Sequence, residues 1–302
     1  MPVTDTPLRY PGGKSQLTPV VIDILTRNGM LYGEYAEPFA GGAGIAMTLL
    51  LNSYVSGIYL NDIDPAIYAF WHCVLHQPDA LCDRIQQVEV DINEWHRQRK
   101  VFLNPDCTDT LDKGFATLFL NRTNRSGILR GGVIGGLQQT GNYKIGCRFN
   151  KADLIRKVHR IAGCQDQISL TCMDAAQFVK KVLPKSNNNT LVNLDPPYFG
   201  KGPELYTNFY KAADHAKLAD AVSMLKRRWI VTYDDTPEIR QLYDAHPTYS
   251  SSLNYSAQIK RVGVELLVAD RRLKLHPSFA SMEITKSDCV IARHPAAMRI
   301  AA

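Results

Sequence analysis

The chain has 302 residues, of which 45% are hydrophobic and 21% charged, and its formal net charge is +6. This composition excludes a wholly disordered chain and predicts a globular protein of one large or two small domains. No apolar run approaches the ~20 residues that a membrane span needs, and the first residues lack the apolar core of a signal peptide. We therefore expect a soluble, cytoplasmic protein.

Apolar patterning predicts strands that alternate with helices along most of the chain. The predicted strands are 32–39, 55–60, 167–171, 190–194 and 229–233, and the predicted helices are 45–51, 66–75, 152–161, 175–183 and 214–225. Thr236-Pro237 is typical of a helix start, and no element is predicted for residues 271–302. Alternating strands and helices require crossover connections, so we predict an α/β protein with a mainly parallel sheet.

The segment between residues 91 and 147 lacks this regularity and contains 8 of the 20 glycines. We predict an inserted, loop-rich or helical subdomain at 86–164 and a discontinuous core formed by 1–85 and 165–302. Between Arg97 and Arg160 there are 13 basic and 4 acidic residues. Such a concentration of positive charge is typical of a segment that binds a polyanion, although a solvated charged face would have the same composition.

The seven cysteines are odd in number and scattered, and no two have the C-x-x-C spacing. This distribution argues against a disulfide framework and against a structural zinc site. We expect reduced thiols and no bound metal ion.

Three acidic residues, Asp62, Asp174 and Asp195, come at or just after the ends of predicted strands. Because ligands of parallel sheets bind beyond the carboxyl ends of the strands, we expect all three to face one cleft. Asp174 has an alternative role as the cap of the helix that begins at Ala175.

Asp195-Pro196-Pro197-Tyr198 is the sharpest motif. Two prolines prevent the strand from continuing and predict a rigid projecting loop. The Asp195 carboxylate, the Pro196 carbonyl and the Tyr198 ring together suit a flat heteroaromatic ring that carries an exocyclic amine. The alternative is a strand-ending proline turn with an incidental tyrosine.

A glycine-rich turn at residues 37–44 follows the first predicted strand. Its spacing differs from the phosphate-binding G-x-G-x-x-G pattern, and Glu37 would repel a pyrophosphate. Asp62, 21 residues after Gly41, stands where a carboxylate would accept hydrogen bonds from ribose hydroxyls. The two features predict a nucleoside ligand without phosphates, whereas a glycine turn alone is as typical of a structural role.

The segment from Arg9 to Lys14 is the last candidate ligand contact. It predicts a tight turn that presents Tyr10 as a stacking face and Lys14 as a cation for a carboxylate. An N-terminal arm packed on the surface would explain the same residues.

Together these segments resemble the Dam-type DNA adenine methyltransferases, which transfer a methyl group from S-adenosylmethionine to the adenine amino group. The similarity covers residues 9 to about 268 and follows the family's order. The matching segments are 10–14, 39–44, 61–62, 120–130, 141–144, 195–198, 231–236 and 263–267. The resemblance implies a Rossmann-like methyltransferase core with an inserted target-recognition subdomain.

Site residues follow from the resemblance. The residues implied to contact S-adenosylmethionine or its surroundings are Tyr10, Lys14, Phe39, Gly41, Asp62, Asp174 and Asp195. Asp195, Pro196 and Tyr198 would hold the target base. The residues expected to contact DNA are Arg9, Arg122, Arg125, Arg130 and Lys144, and Arg130 corresponds to an arginine that reads a guanine. Arg125-Ser126 stands where relatives carry an aromatic wedge, so no recognition sequence is predicted.

We predict site-specific methylation of adenine N6 in double-stranded DNA, with the base flipped out of the helix. Methylation of the cytosine amine, methylation of adenine in RNA, and a catalytically silent DNA-binding module remain as alternatives. One adenine per encounter requires no dimer, so we expect a monomer. The sequence leaves open whether a cognate restriction nuclease exists.

Overall fold

The computed structural model describes residues 5–9, 14–200, 210–255 and 261–277, with side chains for all of these except 14, 15, 250–255 and 261–264. The strands are β1 (Glu34–Glu37), β2 (Gly57–Asn61), β3 (Ile168–Thr171), β4 (Thr190–Leu194), β5 (Arg228–Asp234), β6 (Thr248–Tyr255) and β7 (Arg261–Ala269). The helices are α1 (Thr18–Arg27), α2 (Gly44–Leu51), α3 (Pro65–His76), α4 (Pro78–Gln87), α5 (Ile92–Leu103), α6 (Thr110–Thr123), α7 (Lys151–Ala162), α8 (Ala175–Lys181), α9 (Ala212–Ser223) and α10 (Pro237–Leu242).

A seven-stranded sheet in the order β3-β2-β1-β4-β5-β7-β6 runs through the described part of the chain. Neighbours among β1 to β5 are parallel, whereas β7 pairs antiparallel with both β5 and β6. The predicted α/β fold with a mainly parallel sheet is confirmed. The strand order reverses between β1 and β4, and the crevice at such a reversal is the usual ligand site of an open parallel sheet.

Apolar side chains pack on both faces of the sheet. Successive residues of a strand point to opposite faces, so Leu191 and Ile230 join one buried cluster while Val192 and Val231 join the other. All five residues of β4 are buried. Burial on both faces is consistent with the lack of apolar/polar alternation in this strand, whose polar residues Thr190 and Asn193 are buried as well.

Helix starts are fixed by side-chain caps. Asp64, Asp91, Asp109 and Asn150 each accept a hydrogen bond from a main-chain N–H in the first turn of α3, α5, α6 and α7. Thr236 accepts from the Ile239 N–H at 3.4 Å, so the predicted helix start at Thr236-Pro237 is confirmed. Such a cap contributes about 1 kcal/mol to helix stability.

The predicted subdomain at 86–164 is more helical than its glycine content indicates. α5 and α6 lie where no helix was predicted, and irregular backbone dominates the segment between α6 and α7. The last ten residues of α6 are all buried, so this helix has no polar face that would mark its period in the sequence. Gly114 permits close packing on α3, because a Cβ there would lie 2.7 Å from the Cys73 Sγ.

The apolar side chains of this segment are continuous with those of the sheet. Trp95, Phe115 and Phe119 belong to the same buried cluster as Ile58 and Leu60 of β2. The described residues therefore share one apolar core across this junction, and the division into 1–85 and 165–302 against 86–164 stays a prediction.

Candidate active site at the carboxyl edge of the sheet

Acidic side chains lie at the carboxyl ends of neighbouring parallel strands. Asp62 follows β2, Asp174 comes shortly after β3, and Asp195 follows β4. Glu37, the last residue of β1, lies between them in the strand order. Because these strands are parallel, the four carboxylates share one edge of the sheet at the reversal of strand order.

Asp62 ties the glycine turn to the end of β2. Its carboxylate accepts hydrogen bonds from the N–H of Gly41 at 2.9 Å and of Asp64 at 3.0 Å. The Trp71 indole N–H donates to the Gly41 carbonyl at 2.9 Å, so both main-chain groups of Gly41 are held. Burial raises the pKa of Asp62 to about 6, against the opposing effect of the two amide donors.

Glu37 is buried beneath the same edge. One carboxylate oxygen accepts from the Tyr35 hydroxyl and from the Ala46 N–H, both at 3.2 Å, and Asn193 donates to the Tyr35 oxygen at 2.8 Å. Burial raises the pKa of Glu37 to about 8, and the nearby Asp195 adds to this shift. A cation bound at this edge would favour the ionised form of Glu37.

The Asp195–Tyr198 loop is held by side chains from the two strands beyond β4. Thr232 of β5 donates its hydroxyl hydrogen to Asp195 Oδ1 at 2.9 Å. The Tyr198 hydroxyl donates to Glu265 of β7, which is 2% exposed. Pro196 is buried. The carboxylate and the aromatic ring of the motif are therefore fixed from outside the motif.

Asp234, the last residue of β5, holds the continuation of this loop. Its two carboxylate oxygens accept the main-chain N–H groups of Phe199 and Gly200, each at 2.8 Å. Sequence analysis assigned no role to Thr232, Asp234 or Glu265. Asp234 carries the same signal as the other acids, a carboxylate at the end of a parallel strand, and that signal could have identified it.

Of the other predicted cofactor contacts, Asp174 caps a helix, Phe39 packs against another ring, and the side chains of Tyr10 and Lys14 are not described. The Asp174 carboxylate accepts from the Gln177 N–H at 3.0 Å and caps α8, which is the alternative role given above. The Phe39 ring packs edge-on against Tyr210, with centroids 5.7 Å apart. Tyr10 lies outside the described residues, and Lys14 begins a short 3-10 turn whose first side chains are not described.

Some of the basic residues predicted to contact DNA are exposed, and others are partly or fully buried. Arg125, Arg130 and Lys144 are exposed, and the Lys144 ammonium donates to the Gln139 carbonyl at 2.6 Å. Arg9 is half-buried.

Arg122 was predicted to contact DNA, but it lies in the interior of the protein. Its side chain is buried, and its guanidinium donates to the carbonyls of Arg148 at 2.7 Å and Pro7 at 3.3 Å. Burial lowers the pKa of Arg122 to about 10. Because its donors are directed to main-chain carbonyls inside the protein, we leave Arg122 out of the proposed DNA contacts.

In the loop between Val133 and Ile145, the side chains of Leu137 and Tyr143 are exposed, at 55% and 67%. The loop that carries them is ordered by Gln139, whose side chain makes hydrogen bonds of 2.6–2.8 Å with main-chain groups of Ile134, Gly136 and Ile145. Sequence analysis did not identify these side chains, because the glycine-rich segment has no apolar period.

Neither a membrane-spanning helix nor a metal-binding group of side chains is found among the described residues. In that part of the chain, no helix combines the length and apolar character needed to cross a bilayer. Within the same ranges, no three His, Cys, Asp or Glu side chains are grouped so that they could hold a metal ion.

Over most of its length, the chain is similar to known methyltransferases. The family described as D12 class N6 adenine-specific DNA methyltransferase matches residues 10–259. The type II methyltransferase M.CviBI of Paramecium bursaria Chlorella virus NC1A is 25% identical over 237 residues, which are 77% of this chain and 85% of that relative.

Two solved structures align with this chain at low TM-scores. A conserved hypothetical protein of Streptococcus pyogenes aligns with 11% identity and a TM-score of 0.30, over 81% of this chain and 89% of its own. The rRNA methyltransferase aviRa from Streptomyces viridochromogenes aligns with 15% identity and a TM-score of 0.34, over 82% of each chain.

The family match spans most of the chain and includes the glycine turn, Asp62 and the Asp195–Tyr198 loop. The chain therefore belongs to the D12 class of N6 adenine-specific DNA methyltransferases and is an enzyme that methylates adenine in DNA.

Proposed function

We propose that this enzyme takes its methyl group from S-adenosylmethionine and transfers it to N6 of an adenine flipped out of double-stranded DNA. The observation that carries the proposal is the rigid Asp195–Tyr198 loop at the carboxyl edge of the sheet. Asp195 is held by Thr232 and Tyr198 by Glu265. A carboxylate and a ring fixed in this way can position an exocyclic amine before any methyl transfer begins.

Acceptor groups at the strand reversal suit S-adenosylmethionine, which supplies a methyl group bonded to a positively charged sulfur. Asp62 would accept hydrogen bonds from the ribose hydroxyls, since its oxygens keep lone pairs beyond those used by the N–H groups of Gly41 and Asp64. Asp195 would supply negative charge beside a cationic ligand, and the bound cation would favour the ionised form of Glu37. Tyr10, Lys14 and Phe39 stay candidate contacts from the family resemblance.

The Asp195 carboxylate and the Pro196 carbonyl would accept the two hydrogens of the adenine amine. This directs the nitrogen lone pair, otherwise delocalised into the ring, toward the methyl group. The N–C bond forms as the C–S bond breaks and its electron pair goes to sulfur. N6 is then cationic and acidic, so its proton leaves afterwards to Asp195 or to water. The Tyr198 ring would stack on the adenine, with its hydroxyl held by Glu265.

Adenine has to leave the stack, because its amino group is occupied by base pairing and cannot reach a methyl donor inside the helix. Exposed Arg125, Arg130 and Lys144 would contact phosphates or base edges of the duplex. The surrounding basic residues would add affinity that does not depend on sequence.

We further propose that the enzyme acts as a monomer in the cytoplasm. The name of its M.CviBI relative, a type II methyltransferase, supports a role in restriction and modification. In that role a cognate nuclease would be the partner.

Replacement of Asp195 by alanine tests this proposal. We expect Asp195→Ala to lower the transfer of labelled methyl groups from S-adenosylmethionine to plasmid DNA at least about 100-fold, the usual scale for loss of a group that positions charge at the reacting centre. DNA affinity in a filter-binding assay should stay within about threefold, because phosphate contacts dominate it. Asp220→Ala, an exposed aspartate of α9, is the control. Wild-type transfer by Asp195→Ala would refute the proposed role.

A further inference from the structure

The N-terminal arm, residues 5–9, lies between two segments with separate proposed roles. At one end, the Thr6 hydroxyl donates to the Gly42 carbonyl at 2.5 Å, in the glycine turn proposed to hold the cofactor. At the other end, Arg9 lies against Gly127, in the segment proposed to contact DNA. The arm therefore touches both segments through its main chain or a short side chain.

Asn121, in the last turn of α6, joins the arm to the DNA-contacting segment. Its amide oxygen accepts from the Arg9 N–H at 2.7 Å, and its amide nitrogen donates to the carbonyls of Arg9 at 2.6 Å and Gly127 at 3.0 Å. The side chain is fully buried, and both amide hydrogens are used. One N–H donor and two carbonyl acceptors around it leave only one orientation of the amide.

Gly127 brings the two main chains into direct contact. Its φ of +78° lies in the left-handed region that favours glycine. A Cβ at this position would lie 2.2 Å from the Arg9 carbonyl oxygen. Only glycine permits this approach, so the arm and this turn are in direct main-chain contact.

Arg122, the residue after Asn121 in α6, also joins the arm to the DNA-contacting segment. Its guanidinium donates to the Pro7 carbonyl in the arm and to the Arg148 carbonyl at the far end of the segment. Two successive side chains of α6 thus each hold one carbonyl of the arm and one of the DNA-contacting segment. Loss of either side chain leaves carbonyls of both the arm and the DNA-contacting segment without this donor.

We propose that residues 6–9 form a strut that couples DNA binding to cofactor binding, with Asn121 as the positioning residue. A shift of the DNA-contacting segment on the duplex displaces Arg9, and through Thr6 it displaces Gly42 in the glycine turn. The coupling is reciprocal, as linkage requires. The proposal rests on the proposed function, since it takes the glycine turn as a cofactor contact and residues 125–148 as the DNA-contacting segment.

The test compares the affinity of the full chain for S-adenosylhomocysteine with and without DNA. The dissociation constant is measured by calorimetry for the protein alone and for the protein saturated with a linear plasmid that the wild type methylates. We expect the wild-type ratio of the two constants to differ from one by about fivefold or more, the usual range for coupled sites. Thr6→Val and Asn121→Ala should each move the ratio toward one.

Thr123→Val is the matched control. Thr123 lies in the same turn of α6 and is equally buried, but its hydroxyl donates to the Phe119 carbonyl within the helix. We expect the wild-type ratio in this variant. Destabilisation of α6 alone would lower the melting temperature of Asn121→Ala and Thr123→Val and would leave the ratio of the two constants unchanged.

The possible outcomes separate the two proposals. A wild-type protein that binds both ligands with a ratio of one overturns the strut, and so does an unchanged ratio in Thr6→Val. Thr6→Val keeps this test available if Asn121→Ala does not fold, because valine has nearly the same shape as threonine. A ratio lost equally in Thr123→Val also overturns it. A wild type that does not bind S-adenosylhomocysteine overturns the proposed function itself.

Discussion

Asp234→Asn separates positioning of the Asp195–Tyr198 loop from its chemistry. The Asp234 carboxylate accepts two main-chain N–H groups of the loop, from Phe199 and Gly200. Asparagine has the same shape but keeps one acceptor oxygen, and its NH₂ group then faces an N–H donor. The substitution therefore removes one hydrogen bond and sets two donors against each other without opening a cavity.

The size of the effect follows from the charge of the acceptor. A hydrogen bond to a charged group contributes about 1.5–3 kcal/mol. If this loss is expressed as displacement of the loop from its active position, kcat falls about 10- to 150-fold. Global stability should change less, because asparagine retains one of the two bonds and the loop lies at the edge of the sheet.

Steady-state methyl transfer to plasmid DNA, with kcat and the KM values for both substrates resolved, measures this effect. We expect most of the change in kcat, because Asp234 is bonded to the loop and has no proposed contact with S-adenosylmethionine. The control is Asp235→Asn, in which the neighbouring carboxylate loses an ion pair with Arg240 at the surface. A folded Asp234→Asn protein with kcat within twofold of the wild type would refute the reasoning.

Two further predictions concern charge. Arg125→Ala and Arg130→Ala should each reduce the slope of log DNA affinity against log salt concentration by about one if the side chain contacts a phosphate. An unchanged slope would exclude that contact. The control is Arg156→Ala, at an exposed position of α7 where the arginine pairs with Asp153. Burial raises the pKa of Glu37 from 4.5 to about 8, so between these values the folded protein binds a proton that the unfolded chain releases, and the free energy of unfolding falls as pH rises. Glu37→Gln should remove this decrease in urea unfolding between pH 5 and 8, and identical pH profiles for the two proteins would contradict the assignment.

The parallel strands could be predicted from the sequence because each is short and bounded by turn residues. The predicted bounds of β4, 190–194, agree with the structure, in which all five residues are buried, including the polar Thr190 and Asn193. The carboxyl-edge positions of Asp62 and Asp195 followed directly from the strand ends. In a parallel sheet a strand end fixes the edge to which the next side chain belongs.

Four helices, α1, α4, α5 and α6, were not predicted, and two of them, α5 and α6, lack a helical period for opposite reasons. α6 is buried on all sides over its last ten residues, so its apolar residues have no helical period. α5 buries only Trp95 and Gln98, so its apolar stripe is too narrow to distinguish it from a charged loop. The period of a helix is visible in the sequence when one face is buried and the other solvated, and neither helix meets that condition.

The local sequence also does not show what each acidic residue at a strand end does in the candidate site. Asp174 and Asp195 both come shortly after the ends of parallel strands, yet one carboxylate caps α8 and the other accepts from Thr232. The donor that distinguishes them lies 3 residues away in the first case and 37 in the second. Local sequence predicts the cap, because a cap is a local interaction. A partner on the next strand depends on the register of β4 with β5, so the residues that position the Asp195–Tyr198 loop become visible only once the sheet is assembled.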